Sequence, residues 1–165
     1  MSELDEFYMQ RAIALAAEAE ADGEVPVGAV LVYQDEIIGE GRNQVIGGCD
    51  PSLHAEVSAI RQGAAKLGNY RLLDTTLYVT LEPCPMCAGL LVHSRIKRLV
   101  YGTADPKTGA AGSLLDLTRH AQLNHQIEVS DGVLEAQCRQ QLSGFFQKRR
   151  ALQKALKRAA SGEKP

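Results

Sequence analysis

Between Thr76 and Gly102 the chain reads TLYVTLEPCPMCAGLLVHSRIKRLVYG, and this stretch constrains the fold more than any other. Residues 76–81 are apolar and β-branched, residues 85–94 are helix formers behind a leading proline, and residues 98–102 are apolar and β-branched again. Strand, helix and strand in succession is the pattern of an α/β sheet. Proline is tolerated in a first helical turn, so Cys84 falls at the cap and Cys87 lies three residues on, facing the same way. The positive end of a helix dipole favours thiolate over thiol. That serves a metal ligand and a redox nucleophile equally, so the CPMC spacing alone leaves both open.

The alternation extends along the rest of the chain. Residues 5–22 place Phe7, Ala12, Leu15, Ala16 and Ala19 near helical spacing, and Gly23 stops them. Residues 27–33 and 36–41 predict a hairpin around Gln34-Asp35, a weak turn pair because it lacks glycine. Gly47-Gly48 marks a loop and residues 52–67 predict a second helix. A Gly-rich loop over 103–113 precedes a short helix, a strand near 127–129 and a long helix over 133–158, with 159–165 expected as a flexible tail. At 165 residues the chain fits one domain that buries roughly 70% of its unfolded surface, without disulfide staples.

The start of the chain is acidic, lacks the basic and apolar regions of a signal peptide, and no segment approaches ~18 uninterrupted apolar residues. We read a soluble, cytoplasmic protein with no membrane association. In a reducing compartment the four cysteines are poor disulfide candidates, which turns the close pair toward metal or redox chemistry. Charge is unevenly placed: residues 145–165 hold seven Lys and Arg against one Glu, while residues 1–144 hold eleven against nineteen acids. A basic tail on an acidic body fits either a solvated helix face or a strip that binds phosphates.

His54-Ala-Glu56, at the start of the preceding helix, decides between metal and redox. Two helices side by side on one sheet, both entered from the same edge, bring their N-termini together and set His54 beside the two thiols. One nitrogen and two sulfurs leave the fourth position of a tetrahedral zinc to water, which marks a catalytic rather than a structural site. Glu56 is roughly 200° around the helix from His54, away from the metal and suited to act as a base beside the water. Hydrolysis or deamination follows.

H-A-E followed by P-C-x-x-C is the known signature of zinc-dependent base and nucleoside deaminases. Further blocks lie in the same order: Glu24-Val-Pro-Val-Gly-Ala-Val, Gly39-Glu40-Gly41-x-Asn43, Asn69-Tyr70-Arg71-Leu72, His93-Ser94-Arg95-Ile96, Lys107-Thr-Gly-Ala-Ala-Gly-Ser113 and Phe145-Phe146-x-x-Arg149-Arg150. Over about residues 5–150 the chain resembles the bacterial tRNA-specific adenosine deaminases of the cytidine deaminase-like superfamily. That resemblance implies a single deaminase domain over 1–165, three layers α-β-α around a central mixed sheet of about five strands. It implies hydrolytic conversion of the wobble adenosine of an arginine tRNA to inosine, by a homodimer with one Zn2+ per subunit. By the same resemblance His54, Cys84 and Cys87 hold zinc, Glu56 moves protons as water adds to C6 of adenine, and Asn43 hydrogen-bonds the flipped base. Asp105, Lys107, Phe145, Phe146, Arg149 and Arg150 would contact the anticodon stem-loop. Aromatic walls for a splayed base and cations for phosphates are what single-stranded RNA requires.

Competing readings are weaker. A dithiol oxidoreductase would carry its motif after the first strand, whereas here a helix, a hairpin and a second helix come first. A structural zinc module would need no Glu56 and would close the metal with a fourth side chain. A deaminase of free bases or nucleosides would have no use for the basic tail. Phe145 and Phe146 sit on different helix faces, one expected in the core and one exposed. Cys49 and Cys138 read as small side chains, Glu82 as a hydrogen-bond acceptor for neighbouring backbone, and His93 and Arg95 as candidates for a subunit interface.

Overall fold

The computed structural model describes residues 2–162. Its elements run α1 (Glu3–Ala21), β1 (Gly28–Tyr33), β2 (Glu36–Arg42), α2 (Ala55–Leu67), β3 (Thr75–Leu81), α3 (Pro85–Ser94), β4 (Arg98–Thr103), β5 (Glu128–Ser130) and α4 (Glu135–Ser161). The five strands form one mixed sheet in the order β2-β1-β3-β4-β5. β1 is antiparallel to β2 and β3, and β3, β4 and β5 are parallel.

Period-two alternation of apolar residues buries both faces of this sheet. Ala29, Leu31, Leu77, Val79, Leu99 and Tyr101 pack against Ala55, Ala59, Ile60, Leu91 and Val92 of α2 and α3. Val30, Val32, Tyr78 and Val100 face the other way, onto Tyr8, Met9, Ala12 and Leu15 of α1 and Cys138 of α4. The result is the three-layer α-β-α arrangement. Seating α2 depends on Gly39 and Gly41 of β2: a Cβ at either would overlap the backbone carbonyl of Ala59 or Ala55. Their bare backbone lets the helix lie close and fixes where its first turn points.

Several expected boundaries move. α1 begins at Glu3 because Ser2 and Asp5 form a reciprocal capping box, and Phe7 is 64% exposed rather than on the buried side. The Gln34-Asp35 turn forms without glycine, both residues taking positive φ of 50° and 62°, as a two-residue hairpin requires. Tyr8 Oη donates to the Asp35 carbonyl at 2.6 Å and tethers this turn to α1. The short helix expected after residue 113 is absent. There the Asp116 carboxylate accepts from Thr118 Oγ1, Arg119 N and Arg119 Nε, a local network that competes with helix. α4 runs to Ser161, so residues 159–161 are helical rather than a flexible tail, and residues 163–165 of that expectation lie outside the described residues.

Candidate active site

α2 and α3 present their N-termini side by side at one end of the sheet. His54 is the N-cap of α2 and Cys84 the N-cap of α3, both with extended backbone, and neither side chain caps its own helix. They turn toward each other instead. His54 Nδ1 stands 3.6 Å from Cys84 Sγ and 3.6 Å from Cys87 Sγ, and all three donor atoms lie within 4.8 Å of one another. For tetrahedral zinc at ~2.3 Å from sulfur and ~2.0 Å from nitrogen, sulfur and nitrogen should be about 3.5 Å apart. The donor set and its spacing fit zinc, and His54, Cys84 and Cys87 are positioned to hold one ion.

Hydrogen bonds within the trio shift the ionisation of its members. Hydrogen bonding from Cys87, and then from His54, lowers the Cys84 thiol to about 4 against the opposing effect of burial. Cys87 is pushed far up, first by its hydrogen bond to Cys84 and then by burial. The hydrogen bond to Cys84 also raises His54. Glu56, in the first turn of α2, is 4% exposed and is not part of the donor set, although its carboxyl lies against Cys87. Burial raises this carboxyl above the ordinary range, and its hydrogen bonds and His54 act in the opposite direction. A carboxyl raised in this way in a cleft is suited to accept and return a proton.

His54, Glu56 and Cys84 open into a pocket of about 350 Å³ whose apolar walls include Val27, Val45 and Ile46. Asn43 lines it. Its Oδ1 accepts from Ala55 N at 2.9 Å, and because a backbone N–H can only donate, the two Nδ2 hydrogens remain available to a ligand. Two buried carboxylates hold the rim. Glu24, 3% exposed, accepts from Ile46 N at 2.7 Å and Gly47 N at 3.5 Å. Glu82, 2% exposed, accepts from Asp105 N, Ala111 N and Ser113 N at 3.0–3.1 Å and from Ser113 Oγ. A Cβ at Gly109 would overlap the Glu82 carboxyl, so the 103–113 loop closes on Glu82 only with glycine there. No sequence motif assigns Glu24 this role, although an acid beside the apolar run Val25-Pro-Val27 is a burial anomaly visible in the sequence.

Of the expected RNA contacts, Asp105, Lys107, Phe146, Arg149 and Arg150 line the pocket or an adjoining groove, and Phe145 lines neither. A larger groove of about 1100 Å³ adjoins the pocket, between the 103–108 loop and α4, lined in part by Lys107, Phe146 and Arg150. Arg149 reaches the pocket itself and lies 5.8 Å from the Phe145 ring centroid. Phe145 is half-buried and Phe146 39% exposed; neither joins a core cluster, so the expected core phenylalanine is not found. Asp105 lines both cavities, yet its carboxylate is engaged by Lys107 N, Thr108 N and Thr108 Oγ1. It shapes the loop. Lys148 points to the other side, 3.9 Å from Glu20. Cys49 is exposed and Cys138 packs under Gly102.

Residues 2–103 match the family model of the cytidine and deoxycytidylate deaminase zinc-binding region. A tRNA-specific adenosine deaminase of Haemophilus influenzae is 56% identical, over 97% of this chain and 95% of that protein. One of Bacillus subtilis is 47% identical, over 95% and 98%. A solved structure from a study of A-to-I editing by tRNA:A34 deaminases at the wobble position of transfer RNA superposes with a TM-score of 0.80 at 38% identity. It covers 82% of this chain and 99% of that one.

Proposed function

This chain belongs to the tRNA-specific adenosine deaminases of the zinc-binding cytidine and deoxycytidylate deaminase family, and we propose that it converts adenosine to inosine at the wobble position of a tRNA. The observation that carries this reading is a zinc-ligand trio with a buried Glu56 in a pocket that opens into a groove lined with cations. Bound zinc supplies the Lewis acidity that makes water nucleophilic at neutral pH. Glu56 carries one proton of the attacking water to N1 of the adenine and the second, from the resulting C6 hydroxyl, to the departing amino group. A C6–O bond forms, the C6–N6 bond breaks, and ammonia leaves. Asn43 Nδ2 donates to an acceptor on the flipped nucleotide, and Val27, Val45 and Ile46 enclose its ring. Arg149 meets the adjacent phosphate, while flanking nucleotides cross the groove past Lys107, Phe146 and Arg150. The arginine tRNA is the expected substrate.

We assign one deaminase domain to the whole chain, acting in the cytoplasm, where four free thiols stay reduced. No helix among the described residues is long and apolar enough to cross a membrane. A homodimer is supported by the outer face of α3, where Met86 and His93 are exposed, Leu90 is half-buried and the space over Gly89 is open. Incubating zinc-loaded protein with total tRNA and sequencing for inosine tests the activity. Inosine confined to wobble adenosine is expected. Ammonia released from free bases, with no inosine in tRNA, would return the free-base reading.

A further inference from the structure

From Ala151 through Gly162 every residue of the C-terminal segment is exposed, so the last turns of α4 extend past the sheet on which the helix begins. Residues 136–162 contain no Asp or Glu. At about 100° per residue, Arg150, Lys154, Lys157 and Arg158 fall within an arc of about 100°. Leu152 and Leu156, 60% and 61% exposed, occupy the opposite side. A rise of about 1.5 Å per residue spreads the four cations over about 12 Å, or about one per 4 Å. Duplex nucleic acids carry phosphates at a spacing of this order, about 3.4 Å of axis along one strand of DNA. Arg150 also lines the groove beside the pocket, so the stripe continues the groove wall outward.

A merely solvated helix face would have a different composition. Acids placed four residues from cations stabilise an isolated helix by about 0.2–0.5 kcal/mol per pair, and like charges at that spacing cost a similar amount. Arg150 with Lys154, and Lys154 with Arg158, are like-charged pairs at that spacing, and no acid stands three or four residues from any of them. The helix dipole favours cations only in the last turn, which leaves Arg150 and Lys154 unexplained. A bound polyanion removes the repulsion along the whole stripe.

We propose that Lys154, Lys157 and Arg158, continuing from Arg150, dock on the phosphates of the base-paired stem adjoining the loop that the pocket reads. The enzyme's footprint then includes double-stranded RNA. This rests on the tRNA reading above and extends it from the single-stranded loop to the stem. Such contacts add affinity and orientation without reading base identity. RNA fits better than an anionic membrane because the stripe runs out of the groove. The opposite face also offers only two leucines among alanines, with no aromatic residue in 151–162 to enter a lipid interface.

The test compares two hairpins with one anticodon loop, a full stem and a stem cut to a few base pairs. Binding across a salt series and inosine formation are measured with the zinc-loaded enzyme and with Lys154→Ala/Lys157→Ala/Arg158→Ala. On the full stem the triple variant should bind about 10-fold or more weakly, with its log–log salt slope reduced by about 2 to 3. On the short stem its deficit should shrink toward none. Lys154→Arg/Lys157→Arg should bind like the parent, as should Leu152→Gln/Leu156→Gln on the opposite face. Equal losses on both hairpins, or an unchanged salt slope, would overturn the stem docking while leaving the activity in place. Stripe-dependent binding to phosphatidylserine–phosphatidylcholine vesicles, with no effect on either hairpin, would assign the stripe to a membrane and also overturn it. Stem-dependent binding without inosine would instead overturn the activity and leave the docking standing.

Discussion

α2 and α3 meet the pocket with their N-termini, whereas α4 passes it side-on. At the first wall the chemical groups are enclosed and held: Glu56 is 4% exposed, Glu82 2% and Glu24 3%, and His54 stands 3.6 Å from both sulfurs. α4 buries only Cys138 among its 27 residues. The difference follows from what each wall must do. A proton relay beside a metal tolerates little displacement, so its members are packed and their polar atoms satisfied. Attraction to a polyanion acts through counterion release, which needs exposed cations and tolerates mobility. Enclosure suits the chemistry, and exposure suits the capture of RNA.

Breaking the enclosed wall should have the largest effect. Cys87→Ala leaves two ligands, which seldom retain zinc, so metal analysis should fall from about one zinc per chain to near none and deamination should disappear. A full zinc load in this variant would remove Cys87 from the site. Glu56→Gln keeps the shape but cannot accept a proton. Zinc and RNA binding should persist while kcat drops at least ~10²-fold; near-normal turnover in a metal-loaded sample would refute the proton-relay role.

Smaller effects sharpen the contrast. Glu82→Gln turns an amide donor toward backbone N–H groups that now meet a carboxylate. Unsatisfied buried donors cost about 1–3 kcal/mol, so the melting temperature should fall. KM should rise more than kcat falls, because the 103–113 loop shapes the rim rather than the reacting centre. An unchanged melting temperature would mean that the loop does not depend on this carboxylate. On the exposed wall, Arg149→Ala/Arg150→Ala should reduce kcat/KM several-fold and kcat less, with zinc content unaltered. The salt slope should fall by about 0.7 per lost single-strand contact. Loss of zinc from that double variant would show that the two walls are not separate.

A last change should leave both walls untouched. The Arg98 guanidinium, 2.8 Å from Asp5, holds that buried carboxyl far below the usual carboxylate range, with the Tyr78 hydroxyl assisting. Its folded pKa lies below its unfolded value of about 3.9, so the stabilisation is complete above about pH 4 and is lost progressively below it. Unfolding measured between about pH 2 and pH 6 should show this acid limb in the parent. In Asp5→Asn the contribution should be missing, with lower stability already at neutral pH. An identical acid profile in the two proteins would remove the pair from the stability account.

The chain's own sequence determined the elements and the ligand types. Alternating apolar residues specify strands buried on both faces, Pro85 places Cys84 at a helix cap, and His54 with the Cys84/Cys87 pair supplies the ligand types of a metal site, with Glu56 the proposed base beside it. These are local properties of periodicity and propensity, readable within a turn or a strand. Tertiary structure decided what depends on partners distant in the chain. Tyr8 supports the glycine-free turn from 27 residues away, Glu24 holds the loop at Ile46 from 22 away, and Glu82 gathers the backbone at Ala111 from 29 away. Asp105 is expected from the resemblance to meet RNA but directs its carboxylate into its own turn. The two phenylalanines stay outside the core because α4 packs on the body through Cys138, Gln141 and Leu142, and its exposure rises beyond them. A buried carboxylate or an exposed arginine reads the same in one letter. Only the surrounding chain determines whether its charge is met by amides or left exposed to solvent and RNA.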